Sequence, residues 1–456
     1  MSRHQPNDRG LTLQQVVSCL LLGLGASLHV RVIGYLPLSE LAILLLTPLL
    51  LPQFTSRAVW HYAKWPMLLG FLWLGVQTLT DIFLQTRFDL AARGFARVVT
   101  LIACVPFFVW FLQRQTYQRL LWISCGMVPS IILSAYILRP GTIEGRELVT
   151  GYSGITWETH WAAVVSVATR FFVLLTFSTI PLLAYGTELG VGILNMSLGS
   201  RSAGAIPIIG TAASAAFSFV AARKDQIRRL GLMRTIALGI LVLGSFGAVY
   251  AGYRIAAEAG ALGAKAQQKF ERQSRNRFGL LIGGRSEAVA GLIAVAESPF
   301  IGYGSWPIDT QGFYLKACEF LEEPPNMLYY KQGFPVIPAH SHIICNWTES
   351  GILSIWYWVY VMYLSAQVLV RPLKDEKHLR LWASVSATYM LWNVLFSPIG
   401  ARLNTAMTVA VFLLQLKRGV AERQTSRTST ASRASMHDPL LMPRLPEPVA
   451  SRAYLH

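Results

Sequence analysis

Apolar runs of about twenty residues recur along nearly the whole chain, and nothing else in the sequence constrains its fold as strongly. They fall near 11–28, 35–52, 65–82, 93–112, 118–137, 203–221, 231–253, 346–370, 382–398 and 401–416, with a further apolar stretch at 159–197 interrupted by Arg170 and Glu188. Inside a bilayer every backbone polar group has to be satisfied within its own segment, so such runs predict spanning α-helices. The expected fold class is therefore all-α: a polytopic integral membrane helical bundle with one large insertion. The count is about twelve spans if 159–197 is two helices and about eleven if it is one.

Charge placement favours twelve. With a cytoplasmic N-terminus, the inside connectors carry Arg3/Arg9, Arg57/Lys64, Arg114/Arg119, the cluster Arg223, Lys224, Arg228, Arg229 and Arg234, then Arg371, Lys374, Lys377 and Arg380, and finally Lys417/Arg418. The outside segments 81–94 and 138–158 balance Arg against Asp or Glu, as the positive-inside tendency requires. The net charge of +17 in a chain with only 14% charged residues then reads as basic loops beside anionic membrane lipids. No nucleic-acid recognition motif accompanies it, so nucleic acid is not an expected partner.

The resulting organisation is an N-terminal transmembrane bundle over 1–253, an outside insertion over 254–342, C-terminal transmembrane helices over 343–418 and a flexible cytoplasmic tail over 419–456, rich in Ser, Thr, Arg and Pro. The basic residues before the first apolar run precede no polar break with a small-residue cleavage site, so that run is expected to be a retained span. Arg139-Pro140-Gly141 marks a turn after the fifth span. Cys19, Cys104, Cys125, Cys318 and Cys345 form no close pair, so neither a disulfide framework nor a zinc site is expected.

Chemistry that meets water has to be assembled where polar sequence reaches the membrane edge. The predicted topology puts three such pieces on one face: the turn at Ser200-Arg201, the insertion, and the start of the span at 346–370. Arg201 can hold phosphate oxygens through paired hydrogen bonds, or serve as an interfacial anchor. Arg285, in Ile282-Gly283-Gly284-Arg285-Ser286-Glu287, can supply a second positive charge to a leaving diphosphate, or form a loop ion pair with Glu287.

His340 can take a proton from an attacking hydroxyl; His342 is the competing assignment, and either can cap a helix or lie in interfacial water instead. If helical geometry already holds at His342, then His342, Asn346, Glu349 and Ser350 form a polar stripe. Glu349 then either orients a histidine or substrate hydroxyl, or acts as a structural hydrogen-bond hub. The run Ser298-Pro299-Phe300-Ile301-Gly302-Tyr303-Gly304 has a Pro-led turn that can shape the wall of a sugar site, with Tyr303 or Trp306 against a sugar face. The sequence has no Asp-x-Asp pair, which makes a metal-independent reaction with no cofactor the expectation.

Taken in order, Gly199-Ser200-Arg201, Gly284-Arg285-Ser286-Glu287, Ser298-Pro299-Phe300-Ile301-Gly302-Tyr303-Gly304, and His340-Ser341 followed by Glu349-Ser350-Gly351 resemble the bacterial O-antigen ligase and polysaccharide polymerase superfamily. The resemblance covers roughly 180–370. It implies a helical inner-membrane enzyme with a periplasmic catalytic face, acting on an undecaprenyl-diphosphate-linked oligosaccharide and a glycan acceptor, surrounded by membrane lipids and working beside polysaccharide biosynthesis or export proteins. By the same resemblance, Arg201 and Arg285 bind the substrate diphosphate and His340 activates the acceptor, with Glu349, Glu287, Tyr303 and His342 as supporting or substrate-contacting residues. The expected activity is inverting, metal-independent glycosyl transfer to another lipid-linked repeat unit during exopolysaccharide or O-antigen polymerisation. The alternatives are an O-antigen ligase acting on lipid A-core, a lipid-linked-sugar transporter, or a structural membrane subunit.

Overall fold

The structure is a computed structural model. It describes residues 10–31, 35–137, 157–198, 200–222, 285–325, 336–400 and 402–416, together with 244, 247–248, 250–261, 263, 267, 270–271 and 274. The turn at Arg139-Pro140-Gly141, Gly199, Gly283, Gly284, the Arg223–Arg234 cluster, most of the expected span 231–253 and the tail 419–456 lie outside the described residues.

The all-α expectation holds among the described residues, where strand pairing amounts to the short antiparallel hairpin His29–Arg31 with Tyr35–Pro37 and an isolated antiparallel bridge between Ile308 and Val336. The first five helices are α1 (Leu13–Leu24), α2 (Leu38–Phe54), α3 (Arg57–Phe83), α4 (Phe88–Leu112) and α5 (Thr116–Ile137). Then come α6 (Trp157–Thr176), α7 (Pro181–Ser197), α8 (Arg201–Ala222), α9 (Ser286–Glu297), α10 (Phe313–Leu321), α11 (His342–Ser350), α12 (Trp356–Val370) and α13 (Glu376–Phe396). A last apolar helix, α14, covers Arg402–Leu416.

Four of the described helices are long and apolar enough to cross a membrane: Arg57–Phe83, Phe88–Leu112, Arg201–Phe219 and Ile352–Val370. The stretch 159–197 is two helices, broken before Pro181, whose fixed φ and missing N–H suit the first helical turn of α7. The expected single span at 346–370 is likewise two pieces. Helical geometry begins at His342, stops at Gly351, and resumes through a 3-10 turn at Ile352–Ile355 into α12.

Close helix approach at one end of the bundle positions Arg201. A Cβ on Gly192 of α7 would lie 2.6 Å from Ile208 Cγ1 and 2.9 Å from the Gly204 carbonyl of α8. Small residues at such a crossing let two backbones touch, the packing on which membrane helices rely. Asn195 ties the same corner together, donating from Nδ2 to Ser166 Oγ (3.1 Å) and to the carbonyl of Ala203 (3.2 Å).

Buried charges inside the bundle complete helix ends. Arg380, 1% exposed, donates to the carbonyls of Val368 (3.0 Å), Leu369 (2.8 Å) and Arg371 (2.9 Å), satisfying the orphaned C-terminus of α12. Glu40 accepts from Arg402 Nη2 (2.7 Å) and from the backbone N–H of Leu403 (3.1 Å) at the start of α14. Buried charge in this chain is thus partly structural.

Candidate functional site

The short helix α11 is the centre of the polar interior. Ser341 caps it, accepting from the Ile344 N–H at 3.2 Å while its own hydroxyl donates to the Val394 carbonyl of α13 at 2.9 Å. His342, Asn346, Glu349 and Ser350 are all buried, so the expected polar stripe faces inward.

A clamp from the insertion holds the C-terminus of α11. The Tyr303 and Gly304 N–H groups donate to the carbonyls of Thr348 (2.8 Å) and Glu349 (2.9 Å), which have no partner within their own helix. Trp347 Nε1 and the Ile352 N–H both donate to the Pro299 carbonyl, at 2.7 and 3.0 Å. The run 298–304 is therefore engaged with the helix backbone, and the Tyr303 ring packs edge-on against Phe313, 5.5 Å between centroids. Trp306, the other aromatic expected at a sugar face, lies 5.9 Å from the Arg97 guanidinium.

Gly351 is where clamp and helix meet. Its φ of +72° with ψ of −178° belongs to a region open essentially to glycine, and a Cβ there would fall on the Phe300 carbonyl. Gly351→Ala is expected to cost about 3 kcal/mol, read as a lowered unfolding midpoint of the purified protein. An unchanged midpoint would contradict this account of the clamp.

Glu349 does not reach for a histidine. Its two carboxylate oxygens accept from the two terminal nitrogens of Arg97, one at 3.2 Å, and Oε1 also accepts from the Cys345 thiol at 3.5 Å. Both side chains are almost fully buried, at 5% and 4% exposure. Behind them Asp81 accepts from the Ser305 N–H and hydroxyl, both at 2.6 Å, and Gln77 joins Ser305 (2.7 Å) to Ser350. These are the contacts of a structural hub. Sequence reasoning missed Arg97, Asp81 and Gln77; the available signal for Arg97 was a charge a full turn inside the apolar run 93–112, beyond Arg93 at its edge.

The two histidines differ. His342 is 2% exposed, its Nε2 lies 3.1 Å from the Pro398 carbonyl, and its ring sits 4.4 Å from that of Trp358. Burial pushes its pKa down to about 3, against the Pro398 contact and assisted by the charge of Arg97, so it is neutral at ordinary pH. His340, just before the cap, is half-buried, and its Nδ1 is buried with no hydrogen-bond partner among the described residues. Its neighbour Ala339 packs on Gly291 of α9, and Thr348 Oγ1 donates to the Gly291 carbonyl at 3.3 Å.

Arg285 precedes α9 and lies over two aromatic rings near the end of α13, 4.4 Å from the Phe396 centroid and 5.3 Å from that of Trp392. Burial holds its guanidinium below the ordinary arginine range, and the positive charge of Arg201 lowers it further, while Glu287 opposes both. Arg201 and Arg285, far apart in sequence, are therefore electrostatic neighbours. Arg201 also lies over Tyr253 at 5.3 Å. The end of α13 gathers the rest, since Arg285 meets Trp392 and Phe396, Ser341 bonds Val394, and His342 meets Pro398. Guanidiniums can bind an anion and an imidazole can accept a proton, which are the chemistries these residue types offer. The chain matches no family model and no curated protein sequence at a significant level.

Proposed function

We propose that the chain is a metal-independent membrane glycosyltransferase. It transfers an undecaprenyl-diphosphate-linked glycan to another lipid-linked repeat unit, with inversion at the anomeric carbon, during exopolysaccharide or O-antigen polymerisation. The observation that carries the reading is that Arg285, on the rings of Trp392 and Phe396, and the His340 segment, docked through Ser341 on Val394, meet the same end of α13. Arg285, with Arg201 as a second positive charge, binds an anion there, and a diphosphate leaving group is the anion such a transfer releases.

In the proposed reaction the acceptor hydroxyl attacks the anomeric carbon. A carbon–oxygen bond forms there as the bond to the diphosphate oxygen breaks. The hydroxyl proton passes to His340, and the diphosphate departs with its charge held by Arg201 and Arg285. This reading places the site on the periplasmic side of a bacterial inner membrane, in a bundle of about twelve spans with the insertion 254–342 over its mouth.

Purified protein in lipid nanodiscs, given an undecaprenyl-diphosphate-linked repeat unit and a chelator, is expected to yield extended glycan and free undecaprenyl diphosphate, resolved by mass spectrometry. Product formed only with a lipid A-core acceptor would move the assignment from polymerase to ligase. Transbilayer movement of the lipid without covalent change would replace the enzyme by a transporter. Activity lost to the chelator and restored by a divalent cation would refute metal independence.

A further inference from the structure

The turn 299–304 carries large apolar side chains outward. Phe300 is 74% exposed and Ile301 44%, the adjoining end of α3 exposes Ile82 and Phe83, and the first turns after Gly351 expose Leu353 and Trp356. Hydrogen bonds hold these three pieces at one level. Thr80 of α3 donates from Oγ1 to the Ile301 carbonyl at 3.3 Å, and the Ile352 N–H donates to the Pro299 carbonyl at 3.0 Å. Three separate stretches of sequence thus build one apolar rim, and a patch of that kind is uncommon on a surface that faces only water.

Both flanking helices are of membrane length, and the turn meets each of them at an end. Phe83 is the last residue of the 27-residue helix Arg57–Phe83, and Ile352 is the first of the helical stretch Ile352–Val370. A helix as long as α3 rises about 40 Å against about 30 Å of hydrocarbon, so it overhangs into a headgroup layer. Just beyond Phe83, the exposed ion pair of Arg87 and Asp89, 3.2 Å apart, marks where water begins. Exposed Trp356, at the start of α12, is the residue type that collects at membrane edges.

The backbone of the turn faces the protein. The Pro299 carbonyl accepts from Trp347 Nε1 at 2.7 Å as well as from Ile352, and Ser298 Oγ meets both the N–H and the carbonyl of Gly302 at 3.2 Å. The N–H groups of Tyr303 and Gly304 are taken by the end of α11. Non-helical backbone is tolerated at membrane depth only where the protein satisfies its polar groups. This turn meets that condition, and its exposed side chains are of the kind that gain by leaving water.

We propose that the turn 299–304 is a membrane anchor of the insertion, with Phe300 and Ile301 set in lipid at the boundary of headgroups and acyl chains. The occupant is lipid rather than a second protein, because the patch continues the exposed apolar flanks of two membrane-length helices instead of standing apart from them. The inference is independent of the proposed reaction. Because the same turn clamps the C-terminus of α11, the anchor also ties that helix and its Arg97–Glu349 pair to the level of the bilayer surface.

The test is a spin-label depth measurement on the full-length protein, one molecule per nanodisc of phosphatidylethanolamine and phosphatidylglycerol. Phe300→Cys, Leu79→Cys and Lys316→Cys are labelled separately; the native cysteines are buried or half-buried, and unsubstituted protein gives the labelling blank. Leu79, exposed one turn before the end of α3, is the lipid reference, and Lys316, in an exposed ion pair with Glu297, is the water reference. Oxygen, which concentrates in lipid, is expected to relax the label at Phe300 severalfold more than a water-soluble nickel chelate does, at a depth between the two references. A label there as open to the chelate as one at Lys316 puts the turn in water, and a label shielded from both reagents puts it against protein; either result overturns the anchor. If Phe300→Cys does not fold, Ile301→Cys decides by the same criteria.

Discussion

Arg97→Ala is expected to destabilise the protein by about 3–5 kcal/mol, because it strands Glu349 as a buried carboxylate with only the Cys345 thiol beside it. Most of that cost belongs to the unpaired charge. Removing both members, in Arg97→Ala with Glu349→Ala, is therefore expected to recover a substantial part of the loss, leaving mainly the cavity. Arg97→Lys is expected to fall between them, since an ammonium cannot reproduce the two-pronged grip on both oxygens. Unfolding midpoints of the four proteins in one detergent measure this directly. An Arg97→Ala protein as stable as wild type, or a double variant less stable than Arg97→Ala, would refute the hub. Glu349 belongs to the short helix whose cap adjoins His340, so loss of the pair is also expected to loosen the site.

His340→Ala is expected to lower the transfer rate by about 10²–10⁴-fold, the usual contribution of a positioned general base, with little change in stability. The second half of that expectation follows from its contacts: Nδ1 has no hydrogen-bond partner among the described residues and the ring is half-buried. His342→Ala should do the opposite. It removes the ring packed on Trp358 and the contact to Pro398, so its cost is in folding, about 1–3 kcal/mol.

The pH behaviour separates the two residues further. His342, with a pKa near 3 in the fold against an ordinary value of 6.5, stabilises the native state fully above about pH 6.5. That contribution drains away as the pH falls toward about 3, because the unfolded chain binds the proton first. This acid-side loss of stability is expected to remain in His340→Ala and to disappear in His342→Ala. Wild-type rates in His340→Ala, at full expression, would strip that residue of its assigned role.

Much of the architecture could be read from local pattern. The length and apolarity of the runs predict helices, and the break within 159–197 is explained by Pro181, whose constraints act on its own backbone. The inward polar stripe of α11 was legible too, because helical period alone puts His342, Asn346, Glu349 and Ser350 on neighbouring faces. The run 298–304 was read as a turn with permissive glycines, and a turn is present, but its use was not legible. Gly302 carries a φ of +83°, and a Cβ there would lie 2.7 Å from the Thr348 carbonyl of α11. What the turn grips depends on a helix that returns to it more than forty residues later.

By itself, then, the sequence determined a helical chain with membrane-length apolar segments, and it singled out Arg201, Arg285 and His340 as polar groups at the ends of such segments. Periodicity, caps and breakers act within a few residues, so one strand of sequence suffices to read them. Only the tertiary structure decided that Glu349 belongs to Arg97, 252 positions away, and that Arg285 lies over Trp392 and Phe396 of α13. Which charge meets which inside the bundle is set by helix crossings, and apolar side chains specify those through shape and volume, which no local periodicity records.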